Sequence, residues 1–394
     1  MRVCLASKQF SPSGGGSERY AHALSLALAK RGHDVDICAL GDTSTLSDIP
    51  QHDRLSVTFV AERNRPLVTF ETLYFSILAR QTIDFDEYDV IHGTLMPASP
   101  IALSLFPPST PLVVTSHGTS LGEVRSHKLE VPTDYLKKLF FHPTNYLMDM
   151  ATAPRASRTI AISRESAREL AKWYPVSADD IVHIPHGVNI EQFHPDQPTH
   201  DAPDPEKLTL LHVGRLVSRK HVDLALRALA ALERTDVELL VAGDGTHRDR
   251  LESLAADLGI TDQTKFLGFV PDAELPSLYA SSDAFLFLSR YEGFGLTFLE
   301  AMASGTPVVG TAVGGFPDMV TDGEEGFVVE RHPENVADAI DRLSESPTLA
   351  TEMGEKARTL AEFRTWDTVA AETEAVYESV VEQSPPNQEG DSSR

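Results

Sequence analysis

The stretch RVCLASKQFSPSGGGSERYAHALSLALAKRGHDVDICAL at residues 2–40 decides the fold of this chain. It contains an apolar run at 2–6, a glycine-rich loop, a helical pattern at 17–31 that stops at Gly32, and a second apolar run at 34–40. Apolar residues in the helical part recur at intervals of three and four, which leaves one largely apolar stripe. Such a stripe packs on a sheet, so the stretch predicts a β-α-β unit with parallel strands.

The alternation of apolar runs and helical patterns continues along the chain and begins afresh near residue 208. In the first half we predict further strands at 57–60, 90–92, 112–115 and 159–162. In the second half we predict a helix at 221–232 and strands at 208–213, 237–242, 284–288, 307–310 and 326–329. This order predicts an α/β fold with two Rossmann-like domains, each a mostly parallel, doubly wound sheet.

Composition divides the chain into five segments. Residues 194–206 are rich in Pro and Asp and cannot build a helix or a central strand, which predicts a linker. An apolar stripe at 366–380 predicts a helix, and the residues after it lack a core-forming pattern. The predicted segments are a first domain at 1–195, a linker at 196–207, a second domain at 208–365, a C-terminal helix at 366–382 that packs back on the first domain, and a disordered tail at 383–394.

The charge balance excludes some classes of partner. Asp and Glu total 58 against 34 Lys and Arg, a formal net charge of -24. A nucleic-acid backbone would be repelled by the average surface, and we find no basic stripe that would overcome this. Lysine is scarce, with 10 residues against 24 arginines, and this acidic bias resembles proteins of salt-accumulating halophiles.

The apolar runs and the cysteines indicate where the protein works. No apolar run is long enough to cross a bilayer, so we expect a cytoplasmic protein without a cleaved signal. The two cysteines, Cys4 and Cys38, each lie inside an apolar strand-like run, which favours inert buried thiols over a disulfide or a metal site.

Two features of the first domain are candidates for ligand binding. Gly14, Gly15 and Gly16 stand between the first strand and the first helix, where absent side chains let the backbone approach a phosphate. His117 follows the strand at 112–115 and lies at the carboxyl edge of the sheet, where open α/β folds bind ligands. A structural turn and a structural histidine explain the same residues, so neither feature decides the function alone.

Two cations follow the first strand of the second domain. Arg215 comes directly after Gly214, and Lys220 stands just before the next helix. A guanidinium and an ammonium at one crevice edge suit two adjacent phosphates. A lysine at a helix start also opposes the helix dipole, which favours a bound anion. The alternative is a pair of solvated surface charges.

The segment EGFGLTFLE at 292–300 links the predicted strand at 284–288 to a predicted helix at 296–303. Its two glycines allow a sharp turn, and backbone amides at the helix start can cradle a diphosphate. Those amides belong to Phe294, Gly295, Leu296 and Thr297. Carboxylates disfavour phosphate, so Glu292 and Glu300 address hydroxyl groups, which fits a sugar and a ribose. The alternative is a solvated Glu300 and a Glu292 that neighbours a helix cap.

Motifs over nearly the whole chain resemble the retaining glycosyltransferases of family 4. The resemblance implies their GT-B fold, an α/β fold in which two Rossmann-like domains face each other across a cleft. In order, the motifs are the glycines at 14–16, IPHGVN at 184–189, GRL through Lys220 at 214–220, GDG at 243–245, and two glutamates at 292 and 300 with seven residues between them. The combination is specific for the superfamily and leaves the donor and the acceptor open. The resemblance implies an enzyme of the hexosyltransferase class that uses a nucleotide-diphosphate sugar as co-substrate and needs no other cofactor.

The resemblance also implies a role for each motif. The loop at 14–16 lies near the donor phosphates, and His117 lies near the transferred sugar. Arg215 and Lys220 hold the diphosphate and neutralise its charge as it leaves. Glu292 binds sugar hydroxyls, the amides at 294–297 meet the phosphates, and Glu300 binds ribose hydroxyls. Gly243 and the stretch at 269–271 lie around the base.

Family members of this kind retain the anomeric configuration without a bound metal. The sequence agrees, because its only Asp-x-Asp motifs, at 34–36 and 84–86, lie in the first half and away from the predicted diphosphate cluster. We therefore expect no metal ligands at the cleft. The expected chemistry is front-side attack by an acceptor hydroxyl on an oxocarbenium-like sugar, assisted mainly by electrostatics.

Other functions share many of these features. A nucleotide-sugar-binding protein without transfer activity is one alternative, although decay would usually remove one of the site residues. A GT-B-like nucleotide-sugar epimerase or a phosphorylase is another. The acceptor is unknown, with glycans and lipid-linked molecules as candidates. The basic and aromatic segment LKKLFF at 136–141 is either a peripheral contact with the inner membrane face or an ordinary helix at the cleft rim.

Overall fold

A computed structural model describes residues 1–10, 14–41, 52–61, 71–94, 108–126 and 142–383. The segment at 136–141, which is the candidate for membrane contact, lies outside the described residues, and so does the predicted tail from residue 384 onward. Within the described ranges, no helix is long and apolar enough to cross a membrane.

Seven strands of the first half form one parallel sheet. They are β1 Arg2–Gln9, β2 Asp34–Leu40, β3 Leu55–Ala61, β4 Val90–Thr94, β5 Leu112–Ser116, β6 Arg158–Ala161 and β7 Ile181–His183. Their order in the sheet is β3-β2-β1-β4-β5-β6-β7. The helices between them are α1 Gly16–Lys30, α2 Glu71–Thr82, α3 Ser120–Ser126, α4 His142–Thr152 and α5 Arg164–Trp173. The strand order changes direction at β1, which opens a crevice at the carboxyl ends of β1 and β4.

Six strands of the second half form a second parallel sheet. They are β8 Leu208–Val213, β9 Val237–Ala242, β10 Thr264–Gly268, β11 Ala284–Phe287, β12 Val308–Thr311 and β13 Gly326–Val329. Their order is β10-β9-β8-β11-β12-β13, so a second crevice opens where β8 meets β11. The helices are α6 Val222–Ala231, α7 Arg248–Asp257, α8 Leu275–Ala280, α9 Leu296–Ala303, α10 Phe316–Met319, α11 Pro333–Glu345, α12 Pro347–Glu362 and α13 Trp366–Gln383.

The predicted α/β fold with two Rossmann-like sheets is confirmed, and several strands coincide with their predicted bounds. The patterns at 34–40, 208–213, 237–242 and 326–329 are β2, β8, β9 and β13. The strand predicted at 307–310 is displaced by one residue. Pro307 has no N–H for the ladder and only accepts a bond from Phe285, and Thr311 extends the pairing to Val329.

The last helix, α13, packs on the first sheet's side of the molecule. Val369 and Tyr377 share one buried core with Leu24 and Leu28 of α1. On the way to α13 the chain pairs with the earlier connection between the sheets, because the Val188 amide donates to the Arg364 carbonyl at 2.9 Å. Two stretches of chain therefore cross side by side between the two sheets.

Candidate active site

A cavity of about 890 Å³ lies between the two sheets. Loops that follow β1, β5, β8, β9, β10 and β11 form its wall, so carboxyl ends of strands from both sheets face it. The wall contains every site residue predicted from the sequence: Gly14, Gly15, Gly16, His117, Arg215, Lys220, Gly243, Glu292, Phe294, Gly295, Leu296, Thr297 and Glu300. The structure thus brings these residues together, and their chemical roles remain predictions.

A buried carboxylate between two cations lies at the centre of the second-domain wall. Glu292 Oε1 is 2.6 Å from Lys220 Nζ, and Glu292 Oε2 is 2.8 Å from an Nη atom of Arg219. The hydroxyl of Ser289 donates to the same carboxylate at 2.9 Å. Burial alone would raise the pKa of Glu292, but the two cations outweigh it and lower that pKa to about 2. Glu292 is therefore ionised at neutral pH.

The cations of this cluster are held by a short turn after β8. Residues Ser218–Lys220 form one turn of 3-10 helix, and α6 begins directly after it. Burial lowers the pKa of Lys220, and the carboxylate of Glu292 works against that shift. Arg215 lines the same wall and forms no ion pair with any described residue, so its guanidinium is available to an anion. Three cations thus lie along one edge of the cavity.

The start of α9 forms the next part of the wall. Gly295 has a φ of 109°, and a Cβ built there would lie 2.4 Å from the Phe287 ring, so only glycine fits this turn. The turn places Leu296 and Thr297, the first residues of α9, in the wall of the cavity. The first amides of a helix have no acceptor within the helix, and the helix dipole makes this end positive.

Glu300, one turn further into α9, is already engaged by a residue of the other domain. Arg19 of α1 approaches Glu300 Oε1 at 3.2 Å and Asp272 Oδ1 at 2.6 Å. The hydroxyl of Tyr279 donates to Glu300 Oε2 at 2.9 Å. Burial raises the pKa of Glu300, although Arg19 and Tyr279 both favour its ionised form. This network spans the cleft and leaves part of the Glu300 acceptor capacity unused.

His117 lies on the first-domain side of the cavity. Both of its ring nitrogens are buried without a hydrogen-bond partner among the described residues. Burial lowers the pKa of His117 to about 3, so the ring is neutral at pH 7. A Cβ at Gly293 would lie 2.1 Å from the His117 carbonyl oxygen, which means that the loop before α9 touches the loop after β5. This close approach explains Gly293 better than a turn requirement does.

The remaining glycines have differing explanations. The carboxyl group of Glu18 occupies the space that a Cβ at Gly14 would need, so a phosphate at this loop requires Glu18 to turn away. A Cβ at Gly243 would lie 2.0 Å from the Gly214 carbonyl oxygen. Packing between the loops after β8 and β9 therefore accounts for Gly243 whether or not a base binds nearby.

Sequence reasoning missed Arg19, Arg219 and Asp272. Arg19 is a cation in the first turn of α1, where it opposes the helix dipole, and this is the signal that identified Lys220. Arg219 stands beside Lys220 in the sequence, but the direction of its side chain is set by the 3-10 turn, which the sequence did not predict. Asp272 carries no local signal.

Within the part of the chain that the structure describes, no group of three or more His, Cys, Asp or Glu side chains could hold a metal ion.

Comparison with known families covers most of the chain. Residues 14–192 match the family described as Glycosyltransferase Family 4, and residues 195–360 match the family described as Glycosyl transferases group 1. An uncharacterized glycosyltransferase of Methanocaldococcus jannaschii is 28% identical over 97% of this chain and 99% of its own. A D-inositol 3-phosphate glycosyltransferase of Corynebacterium diphtheriae is 29% identical over 96% of this chain and 94% of its own.

Solved structures share the whole fold at low sequence identity. Sucrose-phosphate synthase from Thermosynechococcus elongatus superimposes with a TM-score of 0.83 and 23% identity, over 97% of this chain and 100% of that one. HepE of Anabaena, solved in complex with UDP-glucose, superimposes with a TM-score of 0.73 and 22% identity, over 96% of this chain and 100% of that one. Both sheets of the present chain and the cleft between them therefore have counterparts in these proteins.

Proposed function

Since this chain belongs to the group 1 and family 4 glycosyltransferases, with their GT-B fold, we propose that it moves a sugar from a nucleotide-diphosphate donor to an acceptor hydroxyl with retention of configuration. The observation that carries this proposal is the cation cluster at one edge of the cleft, opposite a neutral histidine. A charged diphosphate and an uncharged sugar match these two surfaces.

The diphosphate lies against the second domain in this proposal. Arg215, Arg219 and Lys220 supply positive charge, and the amides at the start of α9 supply hydrogen bonds. Glu292 offsets part of that charge in the free protein, which stabilises the buried cluster before a donor arrives. When the donor binds, Lys220 and Arg219 contact both the carboxylate and the phosphates.

In this proposal the two glutamates bind the sugar and the ribose. Glu292 accepts hydrogen bonds from sugar hydroxyls, and His117 contacts the sugar from the opposite wall as a neutral donor and acceptor. Glu300 accepts hydrogen bonds from the ribose hydroxyls. It uses the lone pairs that Arg19 and Tyr279 do not occupy, or those that become free when Arg19 moves away. The base lies near Gly243 and the exposed Phe269.

The chemistry is electrostatic and needs no metal. The bond between the anomeric carbon and the diphosphate oxygen breaks while the acceptor oxygen bonds to the same face of that carbon. The acceptor proton passes to the departing phosphate oxygen, which keeps the charge balanced. The three cations and the α9 dipole stabilise the negative charge on the leaving group, and Glu292 stabilises the positive charge on the sugar.

The proposal also covers the donor, the acceptor and the location. HepE was solved with UDP-glucose, which makes UDP-sugars the first donors to screen. We propose a cytoplasmic enzyme that acts on a glycan or a lipid-linked acceptor. Segment 136–141, outside the described residues, is the place where contact with a membrane would be sought.

A donor screen tests the proposed function. Release of free nucleotide is measured against UDP-, GDP-, ADP- and TDP-sugars with a mixture of glycan and lipid-linked acceptors. One donor class should give turnover that Lys220→Ala abolishes and that Lys356→Ala, at an exposed lysine far from the cleft, leaves unchanged. Tight donor binding without any release would favour a binding protein, and interconversion of sugars without an acceptor would favour an epimerase.

A further inference from the structure

His186 lies where the two domains and the two crossing stretches of chain meet. Its ring stacks on Tyr20 at a centroid distance of 5.1 Å and contacts Phe294 at 5.1 Å and His117 at 5.4 Å. The backbone beside it is closely packed against another stretch of chain, because a Cβ at Gly187 would lie 2.7 Å from the Trp366 amide nitrogen. The ring is therefore fixed in the wall of the cleft cavity, directly beside His117.

Both nitrogens of His186 are buried and have no hydrogen-bond partner among the described residues. Another core histidine behaves differently. His92 bonds to Tyr377 through Nδ1 at 2.5 Å and to Thr115 through Nε2 at 2.7 Å. A buried donor and acceptor without partners destabilise a fold unless a bound ligand or water supplies the missing hydrogen-bond partners. His186 and His117, which both carry unmet hydrogen-bonding capacity, line one and the same cavity.

The charge state of His186 fits an uncharged, polar ligand. Burial, with the nearby His117 and Arg364, holds its pKa well below the usual range. A neutral imidazole has one N–H donor and one acceptor nitrogen, and a hydroxyl group can meet either. A cation here would repel a sugar that gains positive charge during transfer, whereas a neutral ring does not.

We propose that His186 binds a hydroxyl group of the transferred sugar, next to the one that His117 contacts, and so helps to select the donor's sugar. This assignment rests on the proposed function. Two imidazoles side by side form a polar surface with two donors and two acceptors, which adjacent hydroxyls of one sugar ring can satisfy. An apolar group at this position would leave the imidazole nitrogens without hydrogen-bond partners. A phosphorylated group would face the aromatic rings of Tyr20 and Phe294.

The test compares binding of a nucleotide sugar with binding of its free nucleotide. By calorimetry, the wild-type protein is titrated with free UDP, GDP, ADP and TDP and with the corresponding nucleotide-glucose donors. The nucleotide and glucose donor that bind most tightly are used for the variants. His186→Phe keeps an aromatic ring against Tyr20 and removes the polar atoms. We expect it to bind the nucleotide sugar about five- to tenfold more weakly. The affinity for the free nucleotide should stay within about twofold, because the diphosphate cluster is untouched.

Two further variants give the result its meaning. His22→Phe replaces a histidine of α1 that lines a different cavity, and it should change neither affinity. His186→Asn loses packing but keeps a donor and an acceptor, so it should lose less sugar-specific affinity than His186→Phe. The loss of sugar-specific affinity should thus follow the number of hydrogen-bonding atoms in the variant side chain. It should not follow the melting temperatures of the two variants.

Donors that each lack one sugar hydroxyl locate the contact. The penalty of His186→Phe should vanish for one of them and persist for the others. The assignment is overturned if His186→Phe weakens free nucleotide as much as nucleotide sugar, if it weakens neither, or if its penalty is equal for every deoxy donor. A wild-type protein that binds none of the four pairs would refute the proposed function and this assignment with it.

Discussion

Replacing Glu292 with glutamine removes one charge from the centre of the cleft and keeps the size of the side chain. The pKa of Glu292 falls from the usual 4.5 to about 2 in the folded protein. Such a difference corresponds to about 3 kcal/mol in favour of the ionised carboxylate. We therefore expect Glu292→Gln to lower the free energy of unfolding at pH 7 by about 3 kcal/mol.

The pH dependence of this loss has a definite sign. A carboxylate whose pKa is lower in the folded state stabilises the fold above its unfolded pKa, and it loses this effect as the pH falls through the folded pKa. The difference between wild type and Glu292→Gln should thus be full above about pH 5 and roughly half as large at pH 3. Urea unfolding at pH 7, 4 and 3 measures it, with Glu352→Gln at an exposed site as the control.

The same change should affect the two parts of the donor in opposite directions. Without the carboxylate, Lys220 and Arg219 face the cavity uncompensated, so a free nucleotide diphosphate should bind about five- to tenfold more tightly and raise the melting temperature more than in wild type. Sugar transfer should fall at least about tenfold, because a charged acceptor for sugar hydroxyls is gone. Unchanged stability at pH 7, or weaker binding of the free nucleotide, would refute the reasoning.

Four further outcomes are expected. Lys220→Ala and Arg215→Ala should each weaken binding of a free nucleotide diphosphate about 10- to 100-fold in calorimetry, since a charge-assisted hydrogen bond contributes about 1.5–3 kcal/mol; an effect no larger than that of Lys356→Ala would count against their contact with phosphate. Arg19→Ala removes the bridge from α1 to Glu300, so the ligand-free protein should open and its radius of gyration, measured by X-ray scattering, should rise; an unchanged radius would mean that other contacts hold the cleft closed. A chelator should leave turnover unchanged, because protein cations neutralise the leaving group; activity lost to chelator and restored by magnesium or manganese would contradict this. The melting temperature should rise with potassium chloride, as salt screens repulsion within a chain of net charge -24; a steady fall with salt would argue against a halophilic protein.

The sequence was sufficient for the fold because its signals are local. Periodicity and glycine stops predicted β2, β8, β9 and β13 to the residue, and α9 as well. Candidate site residues were accessible for the same reason, since parallel strands bring their carboxyl ends to one edge and each candidate follows a strand. Local signals thus predicted which residues gather at the cleft.

What the sequence could not predict are the pairings between side chains distant in the chain. Glu292 was predicted to face a sugar, but nothing local indicates that it sits between Lys220 and Arg219 in the free protein. Arg19 and Glu300 are 281 positions apart, and their contact depends on how the two domains are oriented. The orphaned nitrogens of His186 likewise emerge only once all its neighbours are placed.

The packing of α13 on α1 has a consequence for how the protein is made. Val369 and Tyr377 complete the core around the first β-α-β unit, although they follow the whole second sheet along the chain. While the chain grows on the ribosome, the apolar surface of α1 therefore stays uncovered until the second domain has already emerged and can fold. The first domain to be translated is in this way the last to be finished, and a stop codon shortly before residue 366 would deprive it, rather than its neighbour, of part of its interior.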